Sequence, residues 1–316
     1  MKIINKSNLP EPLFRAISLS CDAYAGKGEE KFASVTELFR PAFQQALYEK
    51  HYDTLEVDAK RRWQMFLGII FHEALRKANN TVSGVIAEER LSIEIEGHRI
   101  TGGFDHYEAE DIGIGYEEGI LIDHKLTSGH KIIRLIENPN ETWEWRWQLN
   151  AYALMLTRAG FPVHRIKSAA YAKDWSEMKE HRSGFPLFHE FEFLIEREEA
   201  VEAQCYEQIA KLKSERAHTF GRLPGEAYRE CTPSERWEKP QAWAVIKQGN
   251  KRAVNGGVRE DQDEAIGIAQ RLTATTGKKH LVEYRQPART RCDFYCDVRD
   301  HCSSYKSYLE STWRFQ

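Results

Sequence analysis

Residues 119–123, Gly-Ile-Leu-Ile-Asp, form an almost unbroken apolar run that closes on a carboxylate. A strand of that kind has no polar face to turn to water, so it belongs at the centre of a sheet covered on both sides. Its neighbours in sequence supply the cover. From 59 to 78 the side chains of Trp63, Phe66, Leu67, Ile70, Phe71, Ala74 and Leu75 recur at intervals of three and four, which predicts an amphipathic helix ending before Asn79-Asn80. Residues 141–157 carry Trp143, Trp145, Trp147, Leu149, Tyr152, Leu154 and Leu156. They predict a second long helix that hands over at Gly160-Phe-Pro162 to a strand over 166–172. Two strands over 85–95 and 98–107, joined at Glu96-Gly97, come before the apolar run, and the alternation of Leu91, Ile93 and Ile95 supports the first. A strand over 188–194 and a charged helix over 197–217 follow. The order helix, three strands, helix, strand is that of an α/β core around a mixed sheet.

With 316 residues, 41% of them hydrophobic, the chain can bury one large core and a small satellite. The expected division is an irregular N-terminal segment at 1–33, a main domain at 34–220 and a C-terminal region at 221–316. Ala23-Tyr-Ala-Gly-Lys-Gly28 reads as loop, Ser34-Val-Thr-Glu37 as a helix start, and Arg222-Leu-Pro-Gly225 as a linker. Beyond the linker a strand over 242–247, a helix over 263–273 and a strand over 280–285 precede a cysteine-rich tail. The acidic stretch Glu108, Glu110, Asp111, Glu117 and Glu118, with Gly113 and Gly115, reads as a solvated hairpin turn.

A formal charge of -3 argues against a basic coat, so any contact with DNA must come from a local groove. No stretch approaches the ~20 apolar residues of a membrane span, and the start has no signal-like apolar run. The expectation is a soluble cytoplasmic protein of a prokaryotic or phage-infected cell, without a membrane partner. Six cysteines in such a setting favour thiols or metal ligands over disulfides.

Two aspartates, Asp105 and Asp123, close neighbouring strands. Magnesium takes one or two carboxylates and leaves its other positions to water and phosphate, a demand this pair meets. Lys125 lies two residues past Asp123, so strand alternation puts both side chains on one face, where an ammonium can orient water and stabilise charge on a phosphorane. Gln148 and Tyr152, four apart, share a helix face. His72 lies beside the apolar stripe of the first long helix. Glu73 and Glu89 are further acids, read as solvated helix or strand surface. Lys131, Arg134 and Arg146, interleaved with Trp143, Trp145 and Trp147, have the makeup of a single-strand channel, which Lys173 and Trp175 could extend.

Cys292, Cys296 and Cys302 crowd into 11 residues, and a tetrahedral site needs one ligand more. Cys231 is the first choice, with His301 and Cys21 in reserve; iron–sulfur and Zn2+ both stay open. Cys205 reads as a small apolar residue.

Gly103-Phe-Asp105, Leu121-Ile-Asp123-His124-Lys125, Gln148-Leu-Asn-Ala-Tyr152 and the upstream Gly68-Ile-Ile-Phe-His72 together resemble the PD-(D/E)xK nuclease superfamily in its RecB-type branch, over roughly residues 60 to 175. The resemblance implies a restriction-endonuclease-like α/β core with a small C-terminal α+β region stapled by metal. It implies that Asp105 and Asp123 bind Mg2+ or Mn2+, that the main-chain carbonyl of His124 and the side chain of His72 are further metal ligands, and that Lys125 serves the attacking water. Gln148 and Tyr152 would hold the site or the DNA strand. Phe104 stands where the family's proline is usual. The C-terminal thiols resemble the [4Fe-4S] staple of some RecB-type nucleases, those of AddB and CRISPR-adaptation type, although the first gap here is three residues and the distant cysteine follows the core. The expected function is a metal-dependent DNA exonuclease of recombination, repair or phage DNA metabolism, with DNA as substrate and a recombination or single-strand-annealing protein as partner. The rival expectation is a non-catalytic DNA-binding or assembly protein on the same fold. The intact Asp105, Asp123 and Lys125 weigh against it.

Overall fold

The computed structural model describes residues 1–24, 30–111, 117–221 and 229–313. They belong to two units, Met1–Gly221 and Arg222–Gln316, and the expected linker at 222–225 lies outside the described residues. The first unit opens with strand β1 (Lys2–Ile4) and helix α1 (Glu11–Tyr24). The expectation of an irregular segment over 1–33 is thereby corrected. Leu13, Phe14, Ile17 and Cys21 recur at helical spacing, and that stripe packs with Ala59 and Phe66. Of the loop expected at 23–28, residues 25–28 fall outside the described residues.

Strand β2 (Ala33–Ser34) runs into α2 (Val35–Leu38) through the capping box expected from Ser34 and Glu37. The Glu37 N–H donates to Ser34 Oγ at 3.3 Å, and the Ser34 N–H to Glu37 Oε2 at 2.7 Å. After Pro41 come α3 (Ala42–His51), β3 (Glu56–Asp58), which pairs with β1, and α4 (Trp63–Asn79). Strands β4 (Val85–Ile95) and β5 (His98–Asp111) turn on Glu96 and Gly97, both at positive φ (48° and 71°), the backbone a two-residue hairpin turn of type I′ demands.

Then follow β6 (Glu117–Thr127), α5 (Gly129–Glu137), α6 (Trp143–Arg158), β7 (Val163–Ala172), α7 (Glu177–Ser183), β8 (Phe188–Phe193) and α8 (Glu198–Gly221). The acidic stretch is less a turn than the ends of two strands, with Glu110 opposite Glu118 and Asp111 opposite Glu117; residues 112–116 lie outside the described residues.

The main sheet is mixed, in the order β2-β5-β6-β7-β8 with β4 along β5, and the fold is α/β with helices flanking the sheet. One face packs Phe104, Leu121 and Ile166 against Leu149, Met155 and Leu156 of α6 and Ile209 and Leu212 of α8. On another part of the sheet, Ala170, Ala172 and Phe191 pack with Ile132 and Leu135 of α5. The run 120–122 is central, as its composition requires.

One edge of β5 is followed by β4 from His98 to Glu108. The other edge is shared: β2 pairs with Ile100 and Thr101, and β6 takes over from His106. Residues 102–105, Gly-Gly-Phe-Asp, fall between the two partners.

The second unit holds β9 (Glu238–Lys239), β10 (Ala242–Lys247), β11 (Ala253–Arg259), α9 (Gln262–Thr276), β12 (His280–Arg285), β13 (Ala288–Arg289), α10 (Thr290–Phe294) and α11 (Ser303–Trp313). An antiparallel sheet, β11-β10-β12, is packed by α9 through Val245, Ala265 and Ala269; β9 and β13 form a separate pair. Among the described residues no helix is long and apolar enough to cross a membrane.

Candidate metal and active site

The break in β5 pairing is where the chemistry gathers. Past the His106–Ile122 pair, the next N–H on β6 that faces β5 is not met by a backbone carbonyl: the His124 N–H donates to the Asp105 carboxylate, Oδ2, at 2.7 Å. A charge-assisted bond thus replaces a rung of the ladder and fixes the Asp105 side chain at the mouth of the gap. Gly102 has to be glycine, because a Cβ there would come within 2.5 Å of the Tyr152 ring.

On β6, Asp123 is buried and Lys125 donates to its Oδ1 at 2.8 Å, the contact that a spacing of two on one strand face predicts. Ser168 on β7 donates to Asp123 Oδ2 at 3.4 Å. Lys125 also reaches Gln148 Oε1 at 3.3 Å, and Gln148 Nε2 donates to the Tyr152 hydroxyl at 3.1 Å and to Thr36 Oγ1 at 3.5 Å. One polar chain therefore joins α2, α6 and β6.

His72 projects from α4 to the same place, with Nδ1 3.1 Å from Glu88 Oε1 and 3.5 Å from Asp105 Oδ1. Ligand atoms of His72, Glu88 and Asp105 all lie within 4.8 Å of one another. Glu88 is the residue missed in the sequence. It sits in β4 at φ 56°, a backbone conformation unusual for a residue other than glycine. The signal was there, since a two-residue turn at 96–97 pairs Ala87 with His106 and Glu89 with Phe104, which leaves Glu88 opposite Asp105. Glu73, on α4, pairs instead with Arg76 and Lys77.

The expected ion ligands Asp105 and Asp123 are thus brought to one place but used differently. Asp105 joins His72 and Glu88, whereas Asp123 is taken by Lys125, which is nearest along its own strand face. His124 contributes its N–H; its imidazole lies by Tyr171, whose hydroxyl is 3.3 Å from Nδ1, and by the His106 ring at 5.9 Å.

Electrostatics follow from this crowding. Burial, and then the charge of Asp123, push the Asp105 carboxyl up to about 7, against the pull of His72, Lys125 and the His124 N–H. Burial disfavours charge on Lys125, but Asp123 and Asp105 outweigh it and hold the ammonium protonated. Burial also opposes charge on His72, yet the Glu88 hydrogen bond and the carboxylates around it raise its basicity. Tyr152 is pushed up to about 12 by burial and stays a neutral phenol. Lys125 is accordingly a donor and a positive charge, never a base, at neutral pH.

An imidazole nitrogen and two carboxylate oxygens within 4.8 Å of one another form a group that could hold a metal ion.

Several of the residues expected to line a single-strand channel are engaged with other partners. Arg134 pairs with Glu141 at 2.9 Å and Arg146 with Glu196, so both cations are compensated. Lys131 stands 5.0 Å over Trp145, while Trp147 packs against the core. Trp175 is exposed and donates to Glu180.

In the second unit, burial and then the charge of Glu235 push the Cys231 thiol up, and Cys296, Cys292 and Cys302 add to this in smaller measure. Burial pushes Cys296 up to about 12. Backbone bonds bring the segments together: Arg291 N donates to Arg236 O at 3.0 Å, and Cys296 N to Arg291 O at 2.8 Å. The guanidinium of Arg236 donates to Cys231 O at 2.7 Å. Cys21, a reserve ligand, is buried with Ile17 and Phe66 in the first unit, and Cys205 is buried on α8, as a small apolar residue would be.

No family model matches the chain, and no curated protein does. Among solved structures it is similar to the crystal structure of SSO0001, a Sulfolobus protein, at 18% identity over 63% of this chain and 84% of that one, with a TM-score of 0.45. That likeness is too slight to bear on function.

Proposed function

We propose that the chain is a divalent-metal-dependent DNA nuclease of the RecB-type PD-(D/E)xK kind, acting from DNA ends. The observation that carries this reading is the meeting of Asp105, Asp123 and Lys125 beside His72 where β5 changes partners. Two carboxylates, an ammonium and an imidazole have no structural need of one another in a fold whose apolar core is already large.

In this reading His72, Glu88 and Asp105 hold the cation, with Asp123 beside them. The cation, when bound, supplies positive charge to the scissile phosphate and lowers the pKa of water. Lys125, kept charged by the two aspartates, orients the attacking water and offsets charge growing on the phosphorane oxygens. Gln148 fixes the Lys125 amine through its Oε1 and is itself held by Tyr152 and Thr36. Asp123 aims Lys125 from the other side. The four C-terminal cysteines would hold a [4Fe-4S] cluster of structural role in the second unit, for which an all-thiolate set is suited.

The test is degradation of end-labelled linear DNA and of closed circular DNA with Mg2+ or Mn2+. The expected result is metal-dependent loss of the linear substrate only, abolished by Asp123→Ala with folding and DNA binding retained. A wild-type protein that cleaves neither substrate in either metal would leave the non-catalytic DNA-binding reading in its place.

A further inference from the structure

Residues 241–259 contain no carboxylate, and neither do residues 272–282, in a chain that is net negative. The first stretch covers β10, its turn and β11, the second runs from the end of α9 into β12, and the two connections lie side by side at one end of the three-stranded sheet. Lys247 is registered opposite His280, and the Gln248 N–H donates to Lys279 O at 2.9 Å. Lys247, Lys251 and Arg252 are therefore gathered with Lys278 and Lys279 at one end of that sheet. Lys251, Arg252, Lys278 and Lys279 are exposed. None of the five makes an ion pair among the described residues, whereas Arg259, farther along β11, is matched by Glu264.

Uncompensated like charges repel, and a fold that gains nothing from them would ordinarily intersperse acids, as the first unit does with Lys167–Glu190 and Arg165–Glu192. Around the cations stand Gln248 and Asn250, neutral amides able to donate to phosphate, while the Thr275 and Thr276 hydroxyls donate to Arg271 O and Leu272 O of their own helix. The two turns, Gln248-Gly-Asn-Lys-Arg and Thr276-Gly-Lys-Lys, carry no large apolar side chain of the sort that inserts into a lipid surface.

We propose that this end of the β11-β10-β12 sheet binds the phosphate backbone of duplex nucleic acid, without reading sequence. It is a second contact for the polymer, made by residues that take no part in the metal site. Only its benefit to cleavage rests on the nuclease reading; the binding itself does not.

The experiment uses the full chain with a labelled DNA duplex of about 30 base pairs in EDTA, with affinity measured across a salt series, because each phosphate neutralised adds about 0.9 to the slope of log affinity against log salt. The variant Lys251→Glu/Arg252→Glu/Lys278→Glu/Lys279→Glu alters exposed positions only, and an unchanged thermal transition certifies its fold. It is expected to bind at least about tenfold more weakly near 0.1 M salt and to lose about 3 from the salt slope. A double reversal on α8, at Lys211 and Lys213, adds half as much negative charge and controls for net charge; it should cost well under half of the quadruple variant's loss. Unchanged affinity and slope in the folded quadruple variant would overturn the proposal, and so would an equal loss in the α8 control. Binding that depends on the four cations in a protein that never cleaves DNA would uphold this inference and sink only the nuclease reading. Binding to anionic vesicles with no binding to DNA would refute it in favour of a membrane surface.

Discussion

Asp105 is the residue whose protonation decides what the site can hold. Burial, and then Asp123, push its carboxyl up to about 7 from 3.8, so between these values the folded state binds the extra proton. This contribution to stability is complete below 3.8 and is lost as pH rises through 7. His124 runs the other way. Burial and the neighbouring His106 depress it to about 4 from 6.5, so its contribution is present above 6.5 and is lost as pH falls through 4. The two slopes oppose each other across the same window, and the raw stability profile will not separate them. A divalent cation does, because it needs Asp105 ionised. We expect Mn2+ to raise Tm at pH 8 and to have little effect at pH 5; an equal shift at both values would refute a site built on Asp105. Glu88→Gln should weaken Mn2+ binding by about tenfold or more, through loss of one ligand charge, as measured by calorimetry.

At the scale of elements, the site exists because β5 gives up one partner before it gains the next. Gly102 and Tyr152 hold that opening. Gly102→Ala would drive a methyl into a ring that is itself buried among Leu149 and Met155, and overpacking of that kind costs about 1–3 kcal/mol. The expected outcome in thermal unfolding is a lowered Tm, with activity falling further than stability because Tyr152 steadies Gln148 and, through it, Lys125. Wild-type Tm and activity in this variant would remove the packing argument. Several elements were legible in advance for physical reasons: helix α4 from its stripe, α2 from Ser34 and Glu37, and the β4–β5 hairpin from its alternation and Glu96-Gly97. Helix α1 was not, since its polar residues mask a narrow stripe that only the partner residues Ala59 and Phe66 reveal as buried. Helix α5 was hidden too: its cations Lys131 and Arg134 suggested a channel, whereas its apolar residues Ile132 and Leu135 are what the fold uses.

For the whole molecule, the first unit has its own large core and the second a smaller one around Val245, Ala265 and Ala269. A unit with so modest a core would gain much from the metal tie proposed between Cys231 and the segment 292–302. Anaerobically purified protein should be brown with broad visible absorbance, and Cys231→Ser should lose most of its iron and lower the unfolding transition of the second unit while sparing the first. Colourless protein with stoichiometric zinc would overturn the iron–sulfur assignment, and metal-free protein with unchanged stability would overturn the tie altogether.

Read alone, the chain determined the chemical inventory and every relation that local geometry dictates. A period of two puts Asp123 and Lys125 on one face, a period of 3.6 puts Gln148 beneath Tyr152, and an apolar run has to be central. Which carboxylate meets His72 was decided only in three dimensions, because Glu88, Asp105 and His72 come from three elements whose approach is set by how α4 packs on the sheet and where β6 leaves β5. Short-range periodicity carries no information about that packing, so Glu88 stayed unread although its position opposite Asp105 followed from a single turn.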